Sequence, residues 1–543
     1  MPTAAVHSSD GLDRRGLARI TLRINDERRT LTMKLVSKRA AVVTATIAAA
    51  ALLAGCSGGS AGNGGGGAAS GTLSLGTIGE PTSWDPAQAH VGHTLQPYQV
   101  AYDTLILRTA DGALEPMLAT EWSYNEDRTA LTLELRDDVT FSDGAAFDAE
   151  AVKANIENLQ NNNGRQAAQV AAVESVDPVD EDTVVLNLSA PDPALEYNLS
   201  QAGGLMGSPE SLGTEEMVST PVGSGPYVMD TEQSVSGSQF VFTAREDYWN
   251  PDLQKFDKIV LKPYEELTAR VNALLSKQVD ATILDASTAE QAAGAGFSTL
   301  EDYRVDWQGL LLLDREGTQV PALADVRVRQ AINYAIDRET MLESILRGYG
   351  EPTQQVFGPD SGASVDELDS RYDYDPEKAK ELLAEAGYAD GFVLPVSTGQ
   401  GFDTALAALT QQFADVGITV EVTSLNTQTF LDDLAAGKVP VLYQNLFQGE
   451  PWVAIKQMIS TDAIYNPFDT ASPELDELVA AVQNGGDDSA ENAKAVNEYI
   501  SENAWFAPVY RIDQIYSYNA DTITTEKQTQ QAVPSIYNFA PAT

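Results

Sequence analysis

The sequence predicts an α/β protein built in two or three lobes, on three observations. Alternating apolar runs and stretches with apolar residues every three or four positions follow one another through 305–505, the pattern of strands and helices sharing one layered sheet. Between position 71 and that region, strand patterns dominate. Hydrophobic residues make up 43 % of 543 positions, enough for more than one core.

The first recognisable element is an export pattern rather than part of that fold. From Met33, the basic Lys34, Lys38 and Arg39 precede an uncharged run of small and aliphatic residues over 40–54. That run is short for a membrane span, which needs ~20 apolar residues, and reads as a signal peptide. It ends at Leu53-Ala54-Gly55-Cys56, which resembles a bacterial lipobox, and Cys56 is the only cysteine of the chain. The resemblance implies a signal over 33–55, a lipid on Cys56 and a Gly/Ser-rich linker over 56–70. Two acyl chains would hold the protein stably at a membrane face. Met33 is the better start, so residues 1–32 are expected to be an untranslated or non-native extension.

The folded part opens with "TLSLGT", an alternating strand. "ALTLEL" at 130–135 puts Leu131, Leu133 and Leu135 on one face, and "SDG" turns the chain. Asp148 then caps a helix carrying Val152 and Ile156, and "TVVLNL" from 183 is a strand stopped by Pro191. Later, 325–348 reads as a helix with Val328, Ile332, Ala335 and Ile336 in one stripe, closed by Gly348. Its Arg327 and Arg329 are expected to reach acids across a lobe boundary. Asp375, Pro376 and Gly387 punctuate another helix with Leu382, Leu383 and Ala386 inward, before the strand "GITVEV".

From Cys56 onward the chain has 25 basic and 75 acidic residues, a formal charge of −50. Such a surface repels phosphate backbones and anionic lipid, which argues against nucleic-acid partners. A single cysteine excludes disulfides within the chain and Cys-ligated metal sites. His90 and His93 are the only histidines after Cys56, and no third ligand is evident, so neither a metal site nor a Ser-His-Asp system is expected. The patterns G-x-S-x-G and G-x-G-x-x-G fall in the glycine linker, outside the strand-turn-helix setting that gives them meaning. No enzyme, cofactor or P-loop is expected.

Seven stretches in order resemble one family, the family 5 solute-binding proteins of ABC importers, which handle peptides, nickel and certain oligosaccharides. They are "SWDPAQA" (83–89), "AYDTLILR", "LEPMLATEWSYNEDRTALTLELRDDVTFSDGAAFDAEAVKANI", "PVGSGPYVM" (221–229), "REDYWNP" (245–251), "LADVRVRQAINYAIDRE" and "YDYDPEKAKELLAEAGY". The resemblance implies a three-lobed periplasmic-binding-protein fold of class II that closes like a Venus flytrap. Lobe I would be discontinuous, over 71–102, 222–304 and 508–543; the inserted small lobe would take 103–221, and lobe II 305–507. The protein would be a monomer at the outer face of the cytoplasmic membrane, handing solute to an ABC permease driven by a separate ATPase.

The same resemblance implies a site. In peptide binders of the family an aspartate of a "WTGDNGDPD"-like loop pairs with the peptide ammonium. The matching stretch here is "YQNLFQGEPW" (443–452), with Phe447 at the aspartate position, Glu450 nearby and Trp452 replacing a further acid. Tyr443, Phe447 and Trp452 are either an aromatic wall for a ligand or core residues. Trp84, beside Asp85, and Trp307 are candidates at lobe edges. Tyr248 and Trp249 of "DYWNP" read as packing. Gly223, Gly225 and Pro226 read as a tight inter-lobe turn, the glycines allowing backbone angles other residues resist. An oligopeptide is the first expectation for the solute and an oligosaccharide the second. A sensor role, nickel binding and a secreted hydrolase are the remaining alternatives.

Overall fold

The computed structural model describes residues 71–543, apart from 302, 303, 427 and 448 and the side chain of residue 447. The expected extension over 1–32, the expected export signal, Cys56 and the linker lie outside the described residues.

Leu73 and Leu75, both fully buried, make Thr72–Thr77 a central strand of a seven-stranded sheet. The order across that sheet is Ser298–Leu300, Ile515–Tyr518, Ala281–Leu284, Thr72–Thr77, Lys258–Pro263, Phe240–Ala244 and Tyr227–Met229. Thr72–Thr77 runs parallel to both neighbours, and the other pairings are antiparallel. Lobe I therefore draws strands from both ends of the described chain. A second sheet of six strands runs Gly350–Pro352, Phe506–Ile512, Asp306–Leu312, Val441–Phe447, Phe392–Thr398 and Ile418–Ser424. Asp306–Leu312 is buried at every position because helices cover both of its faces. The inserted lobe is a four-stranded antiparallel sheet between Ala119 and Leu188, with Ala149–Asn161 packed on it. There Leu131, Leu133 and Leu135 face the core as their alternation predicts, and Asp148 caps the helix by accepting from Ala151 N.

The chain passes from one large sheet to the other between the strands Ser298–Leu300 and Asp306–Leu312, and returns through Asp513–Gln514. The return crossing is later than the predicted 508, since Phe506–Ile512 stays paired with lobe II strands along its length. Three further expectations differ. The 325–348 stretch forms two helices, Val326–Tyr334 and Arg338–Leu346, because Asp337 caps a new start by accepting from Thr340 N. Arg327 pairs with Asp325 two residues earlier, and Arg329 donates to the carbonyls of Leu323 and Asn503, so both stay within lobe II. At Gly223 and Gly225 φ is not positive. Their requirement is close approach: a Cβ would lie 2.1 Å from Ala101 O at Gly223 and 2.4 Å from Tyr102 N at Gly225.

That approach is the junction of lobe I with the inserted lobe. Arg245 threads it, donating to the carbonyls of Gly223, Ser224, Gly225, Thr140 and Phe141 and pairing with Asp247. Asp103, with no exposed surface, accepts from Tyr248 OH, Trp249 Nε1 and Tyr537 OH at 2.8, 2.9 and 3.2 Å. The "DYWNP" aromatics are thus hydrogen-bond donors as well as packing. Burial pushes the Asp103 carboxyl up to about 6, although its three donors favour the charged form.

Candidate functional site

Where the inserted lobe meets lobe II, the seam has a different character. The loop ahead of the Leu195–Leu199 helix lies on the Pro451–Met458 and Pro473–Gln483 helices. Ala194 joins the lobe II core there, and Gln483 Nε2 donates to Pro191 O at 3.2 Å. Around these few contacts stand charges without full partners. Glu450 ends the Val441–Phe447 strand region and caps the next helix, accepting from Val453 N at 3.1 Å. It keeps part of its surface, yet the surrounding protein desolvates it. That burial, followed by the like charge of Asp192, raises its carboxyl to about 8. Asp192 is itself raised to about 6 by burial, with Lys456 pulling the other way. Among the described residues no Lys or Arg forms an ion pair with Glu450, and Lys456 is engaged with Asp462 at 2.8 Å.

A third carboxyl lies one strand away. In the pairing of Asp306–Leu312 with Val441–Phe447, Asp306 is in register with Phe447. Asp306 is 6 % exposed, accepts from Gln514 Nε2 at 2.7 Å, and is raised by burial. Its neighbour Gln514 meets His93 Nε2 at 3.1 Å from lobe I. At this back edge Arg304 bridges Glu351 and Asp513, so both crossings are pinned to one cation.

On the facing side, Arg108 ends the strand Ile106–Arg108 and lies 4.8 Å over the Tyr197 ring. Burial raises the Tyr197 phenol; the nearby Arg108 charge lowers it, and Glu450 across the seam raises it. Arg108 also donates to Gln530, whose Nε2 donates to Asp360 O in lobe II at 2.9 Å. Lys527 adds a long ion pair of 3.7 Å to Asp360.

Four of the aromatic candidates, Trp84, Trp307, Tyr443 and Trp452, are buried. Trp84 is 1 % exposed inside lobe I, edge-on to Phe240 and Phe242. Its neighbour Asp85 ties the inserted lobe down by accepting from Asn158 Nδ2 and Gly213 N. Trp307 and Tyr443 have no exposed surface; Trp307 packs on Phe506, and the Tyr443 hydroxyl donates to Gln308 Oε1. Trp452 belongs to the lobe II core, with one edge on a surface groove of about 460 Å³. Of the predicted residues, Glu450 alone carries an uncompensated group at the seam; Phe447 is placed by its backbone only. Arg108, Tyr197, Asp192, Asp306, Asp360 and Gln530 were not singled out by sequence, and only Arg108 lay in a quoted motif. His90 contacts Val91 O while His93 turns to Gln514, so the pair diverges. Among the described residues no group of three His, Cys, Asp or Glu is arranged for a metal, and no helix is long and apolar enough to cross a membrane.

Comparison with known proteins fits this architecture. A family model described as "Bacterial extracellular solute-binding proteins, family 5 Middle" matches residues 113–459. The glutathione-binding protein GsiB of Escherichia coli (strain K12) is 29 % identical over 362 residues, covering 61 % of this chain and 67 % of that protein. Two solved structures share the fold. The periplasmic binding protein DppA of Helicobacter pylori, in complex with the peptide STSA, has a TM-score of 0.71 at 20 % identity and covers 87 % of this chain and 98 % of its own. NikZ of Campylobacter jejuni, in complex with Ni(L-His), has a TM-score of 0.69 at 21 % identity and covers 86 % and 99 %.

Proposed function

Since this chain belongs to the bacterial extracellular solute-binding proteins, family 5, we propose that its solute is a short peptide, gripped by its ammonium group at the seam between the inserted lobe and lobe II. The chain is a solute-binding component of an ABC importer and not an enzyme. One observation carries the peptide reading: Asp306, in register with Phe447, and Glu450, three residues beyond it, are carboxyls without a Lys or Arg ion pair among the described residues. Two acids thus flank the position where the family resemblance expects an ammonium-binding aspartate. An ammonium arriving there would favour their charged forms and offset the desolvation that now opposes them. The relatives agree in kind, GsiB being named for glutathione and DppA being solved with a peptide. The oligosaccharide reading loses the support of an aromatic wall, because Tyr443 is sealed in the core.

Ligand binding would drive the lobes together only to the extent that it favours the closed form. The closed form then docks on the permease. We place the protein outside the cytoplasmic membrane, held by lipid on Cys56. Native mass spectrometry of the purified protein, followed by identification of what co-purifies, tests the solute. A retained peptide released unaltered is expected; a retained sugar would overturn the reading. Mass analysis of the processed N-terminus for a diacylglyceryl-cysteine tests the anchor.

A further inference from the structure

Gln514 stands where the chain returns from lobe II to lobe I, and both ends of its side chain are used. Its Nε2 donates to Asp306 Oδ2 of lobe II at 2.7 Å, and its Oε1 lies 3.1 Å from His93 Nε2 of lobe I. An amide oxygen only accepts, so His93 Nε2 is the ring nitrogen that carries hydrogen. The reversed amide would turn its oxygen on the Asp306 carboxylate, which has no hydrogen to give. From His93 through Gln514 to Asp306 the chain therefore has one direction, and it ends on a carboxyl of the candidate site.

Other side-chain contacts between the two large lobes end elsewhere. Arg347 and Glu290 pair at 2.7 Å with side chains 54 % and 44 % exposed, where water screens the attraction. Gln530 bonds only the carbonyl oxygen of Asp360 in lobe II. The Gln514 chain instead reaches a buried acid, and among the described residues Gln514 is the one hydrogen-bond donor to the Asp306 carboxyl. Burial raises that carboxyl. Opposing it are, in order, the His93 charge, the Gln514 hydrogen bond and the Arg511 charge. Both links of the chain thus favour the charged acid that a cationic solute needs.

We propose that Gln514 is a positioning residue that makes recognition by Asp306 depend on where lobe I stands. With His93 against the return crossing, the amide is held from both ends and aims the Asp306 carboxylate. Were lobe I to swing away, His93 would leave and the amide would be free to turn from Asp306. The acid offered to the solute is then assembled by closure, so the solute binds better to the closed form and favours it. The inference rests on the ammonium reading of Asp306 and adds its regulation: the cation is gripped once the lobes have met.

Two measurements on the purified full chain separate this chain of bonds from the peptide reading itself. The first takes imidazole nitrogen spectra of histidine-labelled protein, ligand-free and with glutathione, and reads the state that small-angle scattering shows to be more compact. The chain has three histidines, so the His93 signals are assigned by their loss in His93→Ala. Neutral His93 is expected as the Nε2–H tautomer, with its signals moved in Gln514→Leu. An Nδ1–H tautomer, or signals unmoved in a folded Gln514→Leu, overturns the chain whatever the solute proves to be. The second compares glutathione with N-acetylglutathione, which lacks the ammonium. Preference for the free ammonium is expected to fall about tenfold in Gln514→Leu and in His93→Ala. His93→Gln, whose amide puts a neutral donor where Nε2 stood, is expected to restore most of it. Equal weakening of both probes overturns the positioning role, since a merely structural residue would act on both alike. A loss in His93→Ala that His93→Gln does not restore also overturns it. If neither probe binds, the peptide reading fails, and the histidine spectrum of the ligand-free protein alone decides the chain.

Discussion

The inserted lobe touches its neighbours at two places built on opposite principles. Toward lobe I, two glycines let backbones meet with no room for a Cβ, Arg245 is saturated by carbonyls, and Asp103 is held by three donors. Toward lobe II, among the described residues, one side-chain hydrogen bond, a 3.9 Å ion pair between Arg128 and Asp487 and the apolar Ala194 span the gap, among carboxyls raised by burial. The first contact satisfies the charges of Arg245 and Asp103 from within the protein; the second leaves Glu450 without an ion pair among the described residues. A binding protein needs both kinds: a joint that never opens and one whose missing charges the solute supplies.

The largest effect should come from spoiling the closed joint. Gly225→Ala would drive a Cβ to 2.4 Å from the Ala101 carbonyl carbon, and overpacking against backbone is expected to destabilise the protein by ~3 kcal/mol or more. Denaturant unfolding should show a lowered midpoint. Asp103→Ala comes next, since it strands three buried donors at ~1–3 kcal/mol in total. Asp103 also gives that joint a pH signature. Its carboxyl is raised to about 6, so the folded form holds a proton that the unfolded chain has already lost. Its contribution to stability is therefore full below about pH 4, declines up to about pH 6 and is level beyond. Asp103→Asn should remove that slope.

At the open seam the effect should appear in binding rather than in stability. With Glu450 near 8 before ligand arrives, capture of an ammonium would release up to one proton. Affinity should then rise toward tenfold per pH unit between about pH 6 and 8. Calorimetry in buffers of different ionisation enthalpy would count that proton, and Glu450→Gln should flatten the dependence while leaving unfolding unchanged or slightly improved. A pH-independent affinity in the wild type would mean that Glu450 does not meet the solute. The smallest effect belongs to Gln483→Ala, which removes one part-buried bond across the seam. It should shift stability by ~0.5–1.5 kcal/mol at most, and scattering should show a more open ligand-free protein.

Local chemistry was legible in the sequence. Asp148, Asp375 with Pro376, and Gly387 stand where helix starts and stops were expected, because a cap needs only its own turn. The split at Asp337 was missed for a related reason: the apolar stripe runs on through Ala335 and Ile336, both buried, and hides the new cap. The aromatics read equally as wall or core because sequence does not show what covers a strand; in the structure Trp307 and Tyr443 have no exposed surface. The seam was not legible. Gln530 lies 422 residues from Arg108, and nothing in either neighbourhood announces the other. The contacts of Arg108 with Gln530 and the Tyr197 ring appear only once every neighbour is placed.

The sheet order has a consequence for how an exported chain matures. Lobe II is one continuous stretch and can assemble as soon as it has emerged. Lobe I cannot: its sheet needs Ile515–Tyr518, its core needs Val533, Ile536 and Phe539, and Asp103 waits for Tyr537. The lobe whose first strand emerges earliest is among the last to be completed, since it waits on contacts more than 400 residues away. During secretion the half-built lobe must stay soluble with its apolar face uncovered. Truncation of the last few residues should thus be felt first as a failure of release and folding, well before any failure of capture.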